Sequence, residues 1–294
     1  MNTVAFFCDA HILPGFQAAF TSLLINHQSP TRLYIILFAD HLNKKQKDTI
    51  LKTYNIHRKP TQIFEIREAP EMKISGANSL KGNFTAYGRL FLSSLLPDKD
   101  LVLYLDSDII VKCDVSDIFN GMNGAYTLFV SGVGERIWSL DKDLYQLAGL
   151  KMDGLCFNSG IMGINLQRWR EQNGFEKCLQ IIKNYPNQFL SADQALLNLT
   201  FHDDFFVLPK NLNIRAIFSD SILLKEGIYH FVGLPKPWGF GMKKYHKGYN
   251  LWYQYVKESS LNFQSIKYFN ILTLFKQRKS YFKVIFFYIK EYLN

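Results

Sequence analysis

The chain is poor in the features that would place it quickly. Its four cysteines, Cys8, Cys113, Cys156 and Cys178, are scattered and show no Cys-x-x-Cys spacing. That excludes a disulfide frame or zinc ribbon and points to reduced, mostly buried thiols in a cytosolic-type compartment. No run of about 18 apolar residues occurs, so no segment is expected to span a bilayer. Met1 leads almost directly into a strand-like Val4–Cys8 with no basic n-region or cleavage site, so no secretory signal is expected. Glycine-rich phosphate loops are missing: there is neither G-x-G-x-x-G after the first strand nor G-x-x-x-x-G-K-[ST]. A G-x-S-x-G elbow and H-E-x-x-H are absent too, which argues against a serine hydrolase, a P-loop ATPase and a zincin. There are no internal repeats and no low-complexity linker.

What is present describes a globular protein. With 294 residues, 48% hydrophobic and 20% charged, the chain can bury a sizeable core as one large α/β domain or two small ones. The formal net charge of +9 is local: residues 242–294 hold ten Lys or Arg against two Glu, leaving the rest nearly neutral. We therefore divide the chain into a domain, 1–241, and a basic aromatic tail, 242–294.

Strand and helix patterns alternate from the start. Val4–Cys8 is followed by a helical pattern over Phe16–His27, a strand over Arg32–Phe38, a charged helix near Asn43–Tyr54 and a strand over Gln62–Ile66. This alternation implies a central, mostly parallel, Rossmann-like sheet. Ala69–Asn83 is a polar, Gly-containing loop, and Phe84–Leu96 reads as a helix carrying Tyr87 and Arg89. Beyond Leu101–Leu105, Gly124–Val130 is a strand candidate, and Ser131–Leu150 an acceptor-facing or lid segment. Phe157–Asn165 carries two glycines that allow close backbone approach, and a long helix spans Leu166–Asn184. Ser191-Ala-Asp193-Gln194 opens another helix, with Ser191 and Gln194 in a capping-box spacing.

The chain centres on Leu101-Val-Leu-Tyr-Leu-Asp106-Ser-Asp108-Ile-Ile-Val111, where two carboxylates interrupt a buried-looking strand. Ionised carboxylates are costly to bury unless paired or bound to a cation, and strand ends are where open α/β sheets put their sites. Such an Asp-x-Asp either holds a divalent metal carrying a phosphate or forms a turn with two solvated carboxylates. His230, followed by Gly233 and Lys236, favours the metal: an imidazole ligand, a glycine for close approach, and an ammonium for phosphate charge. Oxygen ligands suit Mg²⁺ and Mn²⁺, and the imidazole shifts the preference toward Mn²⁺.

Four segments together resemble glycosyltransferase family 8 on the GT-A nucleotide-diphospho-sugar transferase fold. They are Tyr104-Leu-Asp106-Ser-Asp108, Phe157-Asn158-Ser-Gly160, Asp193-Gln194 and His230-x-x-Gly233-x-x-Lys236-Pro-Trp238, in the order of the bacterial lipopolysaccharide galactosyl- and glucosyltransferases. The resemblance covers about residues 3–240. It implies that Asp106, Asp108 and His230 coordinate Mn²⁺, with Mg²⁺ as the alternative, on a UDP diphosphate that Gly233 and Lys236 contact. It further implies that Asp9 and His11 face the uridine, that Ser107 and Arg89 reach the donor, and that Asn158, Asp193 and Gln194 surround the donor sugar as catalytic residues. Relatives place an aromatic shortly after the first-strand Asp, whereas here Asp9 is followed by Ala10-His11-Ile12. The implied activity is retaining transfer of a hexose from UDP-galactose or UDP-glucose to a glycan or glycolipid acceptor in lipopolysaccharide or other surface-glycan synthesis.

Two other readings stand beside it. One is a catalytically idle sugar-nucleotide binder. The other is a haloacid-dehalogenase-type phosphatase, in which the first Asp of the motif is a nucleophile; it lacks the usual Thr or Val at Ile110 and leaves His230–Trp238 unexplained. In the tail, Lys276, Lys279, Lys283 and Lys290 fall on one stripe of a helix, opposite Ile285, Phe286, Tyr288, Ile289, Tyr292 and Leu293. That basic amphipathic pattern suits an anionic membrane surface at the inner face of the cytoplasmic membrane; packing on the domain is the alternative, and no nucleic acid is expected.

Overall fold

Near-continuous apolar runs form strands buried on both faces, as a parallel sheet between helices requires. In β1 (Asn2–Asp9), Val4, Phe6 and Cys8 enter one buried cluster while Ala5 and Phe7 enter the other, the alternation of a pleated strand. A computed structural model describes residues 1–80, 82–122, 124–216, 225–239 and 241–262. With β2 (Leu33–Asp40), β3 (Gln62–Glu68), β4 (Leu101–Leu105), β5 (Ile109–Val111), β6 (Leu128–Val130), β7 (Val133–Glu135), β8 (Leu155–Phe157), β9 (Ile161–Asn165) and β10 (Phe205–Val207), the chain builds a seven-stranded sheet in the order β10-β6-β9-β4-β1-β2-β3. All pairings in it are parallel except those of β9 with β4 and with β6. A second sheet joins β11 (Ile214–Arg215), β12 (Ile228–His230) and β5, and β7 pairs with β8.

Local chemistry accounts for the flanking helices. Pro14 sits in the first turn of α1 (Leu13–Asn26), where its missing N–H has no intrahelical role. Asn43 and Gln46 form a reciprocal capping box at the start of α2 (Lys44–His57). The expected helix over Leu166–Asn184 is in fact two, Leu166–Glu171 and Gly174–Asn184. Asn173 turns left-handed between them (φ 54°), and a Cβ on Gly174 would meet the Trp169 ring at 2.8 Å. Close packing on Trp169 overrode the helical periodicity. Likewise, Phe84–Leu96 forms a 3₁₀ turn, Thr85–Phe91, and only then one α-turn, Leu92–Leu95. Of Gly124–Val130, Leu128–Val130 is strand.

A third cluster bears on where the domain ends. Ile110, Tyr229, Phe231 and Trp238 pack with Leu251, Trp252, Tyr255 and Val256 against Ala18 of α1. The helix Tyr249–Val256 thus lies on α1, with Trp252 Nε1 donating to the Pro14 carbonyl at 3.0 Å. Further along, Ser260 N donates to Thr53 Oγ1 at 3.0 Å. The first part of the 242–294 segment is therefore packed on the domain, because its aromatics complete a core that 1–241 leaves open. The Lys stripe of the tail lies outside the described residues. Among the described residues no helix is long and apolar enough to cross a membrane. Trp252→Ala is expected to lower unfolding free energy by about 3–5 kcal/mol, measured by denaturant titration; a loss under about 1 kcal/mol would detach this helix from the core.

Candidate active site

The functional side chains gather at the carboxyl end of the sheet, the crevice that open α/β folds use for ligands. β4 ends at Leu105, and Asp106 N donates to the Gly160 carbonyl at 2.7 Å, so the loop leaves the sheet beside β9. The antiparallel register of β12 on β5 sets His230 opposite Ile109, and Phe231 N donates to the Asp108 carbonyl at 2.9 Å. Residues more than 120 positions apart in sequence are thereby brought together. One ligand atom each from Asp106, Asp108 and His230 lies within 4.8 Å of the others. Gly160 makes this possible: a Cβ there would collide with His230 Cε1 and come within 2.6 Å of Asp106 Oδ2.

Each carboxylate divides its two oxygens between a cation and this cluster. Asp106 Oδ1 accepts from Arg89 Nη2 at 2.8 Å and from the Tyr104 hydroxyl at 2.7 Å, while Oδ2 lies 3.6 Å from His230 Nε2. Asp108 Oδ2 accepts from Lys236 Nζ, and Oδ1 lies 3.3 Å from His230 Nε2. Burial alone would raise the Asp108 pKa, but the Lys236 ammonium and His230 outweigh it and hold the carboxyl well below the ordinary range. It therefore stays ionised. Two oxygens and an imidazole nitrogen converging on one point form a donor set suited to a hard or borderline divalent cation.

Asn213, which sequence reasoning did not single out, sets the direction of that imidazole. Its Nδ2 donates to Asn158 Oδ1 at 2.9 Å and to the Ser131 carbonyl at 3.3 Å, so Oδ1 is the atom 3.1 Å from His230 Nδ1. With Nδ1–H donated to Asn213, Nε2 is the nitrogen turned to the carboxylates, and it is the one that would offer a lone pair to a cation. The chain continues: Asn158 Nδ2 donates to Gln194 Oε1 at 2.8 Å, and Ser159 Oγ donates to Asp193 Oδ2 at 2.9 Å. Asp193 is buried, which pushes its pKa up to about 6 against the opposing pull of Arg89; Asp106 raises it further.

Arg89, expected to reach the donor, is 3% exposed. It bonds to the carbonyls of Ala86 and Ser159, to Tyr104 and to Asp106, and pairs with Asp193 at 3.2 Å. Its charge holds Asp106 and Asp193 in place from behind. Ser107 donates its hydroxyl to the Phe7 carbonyl at 2.7 Å, so its side chain fastens the loop to β1. Ser191 and Gln194 do not form a capping box: Ala192 is the N-cap, the Ser191 hydroxyl goes to Asp141, and the Gln194 side chain goes to Asn158. Asp9 Oδ1 accepts the N–H groups of His11 and Ile12, Oδ2 accepts from Asn83, and His11 stands at the rim, 95% exposed on its side chain. Gly233 adopts φ +81°, a left-handed turn that glycine adopts without a Cβ penalty, and among the described residues beyond its chain neighbours no atom lies within 4 Å of the Cβ position.

Comparison with known proteins agrees with this architecture. The model of glycosyl transferase family 8 matches residues 3–240. A lipopolysaccharide 1,2-glucosyltransferase of Escherichia coli K12 is 26% identical over 249 residues, 80% of this chain and 72% of that protein. The galactosyltransferase LgtC, solved with donor and acceptor sugar analogues, superposes with a TM-score of 0.72 at 18% identity, over 88% of this chain and 96% of that one. The bifunctional glycosyltransferase WbbM superposes with a TM-score of 0.73 at 17% identity, over 88% of this chain but only 50% of its own length. The fold is GT-A.

Asn213→Ala leaves His230 Nδ1 without its acceptor. Mn²⁺ binding, measured by calorimetry on protein free of other ligands, is expected to weaken about 10–100-fold; an unchanged affinity would remove Asn213 from any orienting role.

Proposed function

The chain belongs to glycosyl transferase family 8, and from that premise we propose that it transfers a hexose, galactose or glucose, from a UDP-sugar to a glycan or glycolipid acceptor with retention of anomeric configuration. The observation that carries this reading is the meeting of Asp106, Asp108 and His230 beside Lys236. These three residues would hold a divalent cation, Mn²⁺ by preference, which supplies Lewis-acid stabilisation of the departing diphosphate. Lys236, now on Asp108 and the Phe231 carbonyl, is close enough to add a point charge to the phosphates, with Gly233 leaving room for them. Asp9 and His11 take the uridine end. Asp193 and Asn158 orient the sugar hydroxyls. The relatedness to a lipopolysaccharide 1,2-glucosyltransferase supports a role in surface-glycan synthesis.

The state of Gln194 bears on how retention is achieved. An amide attacks through its oxygen, and this Oε1 already accepts from Asn158 Nδ2 and lies 3.4 Å from Ser159 N. That engagement favours same-face displacement. The bond from the anomeric carbon to the diphosphate oxygen breaks, the acceptor oxygen bonds to the same face, and its proton passes to the leaving phosphate. The polar loop 69–83 and the segment 131–150 line the acceptor side in this reading.

Mass spectrometry of products from a panel of UDP-sugars with Mn²⁺ tests the proposal. Sugar transfer or UDP release is expected; binding without turnover would mean an idle binder, and phosphate release from a phosphoester a phosphatase. Asp108→Asn should lower metal-dependent turnover by about 100-fold or more, and near-normal turnover would take Asp108 out of the metal site.

For residues 263–294 we propose attachment to an anionic membrane surface, a reading supported by the Lys stripe and aromatic face alone. A chain ending at Asn262 is expected to lose co-sedimentation with phosphatidylserine-containing vesicles while keeping donor hydrolysis. Unchanged vesicle binding would defeat that assignment.

A further inference from the structure

The helix Asp193–Thr200 begins from a backbone that its sequence does not favour. Ala192, the residue before Asp193, has φ +51° and ψ −123°, a conformation in which an L-residue is strained and glycine is at ease. The directions of Asp193 and Gln194 depend on that residue keeping those angles.

Bonds from two separate segments hold the turn. From the lid segment, Asp141 Oδ1 accepts the Leu190 N–H at 2.6 Å, and Oδ2 accepts the Ser191 N–H at 3.2 Å together with the Ser191 hydroxyl. From the polar loop, Asn78 Oδ1 accepts the Phe189 N–H at 2.9 Å, and the Gly76 carbonyl accepts the Asn187 N–H at 2.7 Å. Asp141 is 1% exposed. It occupies the N-cap position of the short helix Lys142–Leu147 but makes no side-chain cap bond there. An Asp at that position ordinarily accepts from its own helix; this one is turned fully onto the neighbouring turn. Charge-assisted acceptors are the stronger kind, and a buried carboxylate makes the most of them.

We propose that Asp141 is a positioning residue: by clamping Leu190 and Ser191 it holds Ala192 in its strained conformation, and so aims Asp193 and Gln194 at the donor sugar. This rests on the transferase reading above for what the aim accomplishes, and on geometry for the clamp itself. The same bonds make the acceptor-facing segment part of the support for the sugar site, so disorder in one reaches the other.

The test is Asp141→Asn in the full chain. An amide keeps one acceptor but meets the second group of donors with an N–H. Turnover with the UDP-sugar that the wild type uses should fall about 100-fold, the scale of a small misplacement of reacting groups. KM for the donor and UDP affinity should stay near wild type while the melting temperature drops by a few degrees, and the amides of Leu190 and Ser191 should exchange hydrogen faster. Adding Ala192→Gly removes the Cβ strain that the clamp opposes, and should restore roughly tenfold of the lost turnover. If Asp141→Asn fails to fold, Ser191→Ala removes a single bond and should give a smaller loss of the same kind. Full turnover in both single variants, or turnover and UDP affinity falling together without glycine rescue, would overturn the proposal. Should the wild type turn over no donor, the transferase reading fails while amide exchange still decides the clamp: faster exchange supports it, and unchanged exchange overturns it.

Discussion

Asp106 and Asp108 place two carboxylate oxygens within 4.8 Å of one another at the end of a buried strand. At that separation and an effective dielectric of about 20, their repulsion is on the order of 3 kcal/mol, before any penalty for leaving water. The surrounding chain answers this one constraint. Arg89 comes to Asp106 from the 3₁₀ turn Thr85–Phe91, and Lys236 to Asp108 from the segment after β12. Neither cation covers both oxygens of its partner. What is left over, one oxygen from each carboxylate and the Nε2 of His230, is a set of three ligand atoms turned toward one another. The arrangement stabilises the carboxylates as ions and leaves unmet just the interaction that a divalent cation supplies.

The glycines and turns around the site follow from that crowding. Gly160 is bare because His230 and Asp106 occupy the space of its side chain. Gly88 is bare because its Cβ would run into the ring of Phe7, and this brings the Arg89 turn flat against β1 and so under Asp106. Gly163 sits between β4 and β6, where a Cβ would meet Met122 Sδ at 2.6 Å. These are positions of close approach, and the first two set how near the charged groups of the site come to one another.

How much of this can be read from residues alone depends on the range of the interaction. The strands, the Asp-x-Asp and the His-Gly-Lys segment are written in local composition and order, so they are legible. Asn213 is not: it precedes β11 in an unremarkable Asn-Leu-Asn-Ile, and only the parallel register of β11 on β12 brings it to His230. Asp141 is not legible either, because the groups it holds, Leu190 and Ser191, lie 49 and 50 positions on. The Ser191–Gln194 spacing matches a capping box, yet both side chains found stronger tertiary partners, and local pattern lost to them. The boundary at residue 242 follows a shift in charge, whereas Trp252 and Tyr255 follow apolar area and join the domain. Charge is a property of the surface, and it marks domain ends poorly where aromatic residues still have core to fill.

The polar groups of the site form one connected chain, and that has a consequence for how it works. From His230 the bonds run through Asn213 to Asn158 and on to Gln194, and from Asp106 through Arg89 to Asp193 and Ser159. In the proposed transfer, both routes link the end assigned to the diphosphate to the end assigned to the sugar. Hydrogen bonds in a buried network constrain each other, since turning one amide over leaves its neighbours without partners. A change in the position of His230 therefore cannot be absorbed locally; it moves the Asn158 amide and with it the oxygen of Gln194. The donor's two halves are joined by the very bond that must break. A site in which the groups proposed to hold each half are also joined would keep the anomeric carbon in register with the diphosphate, as the proposed same-face displacement demands.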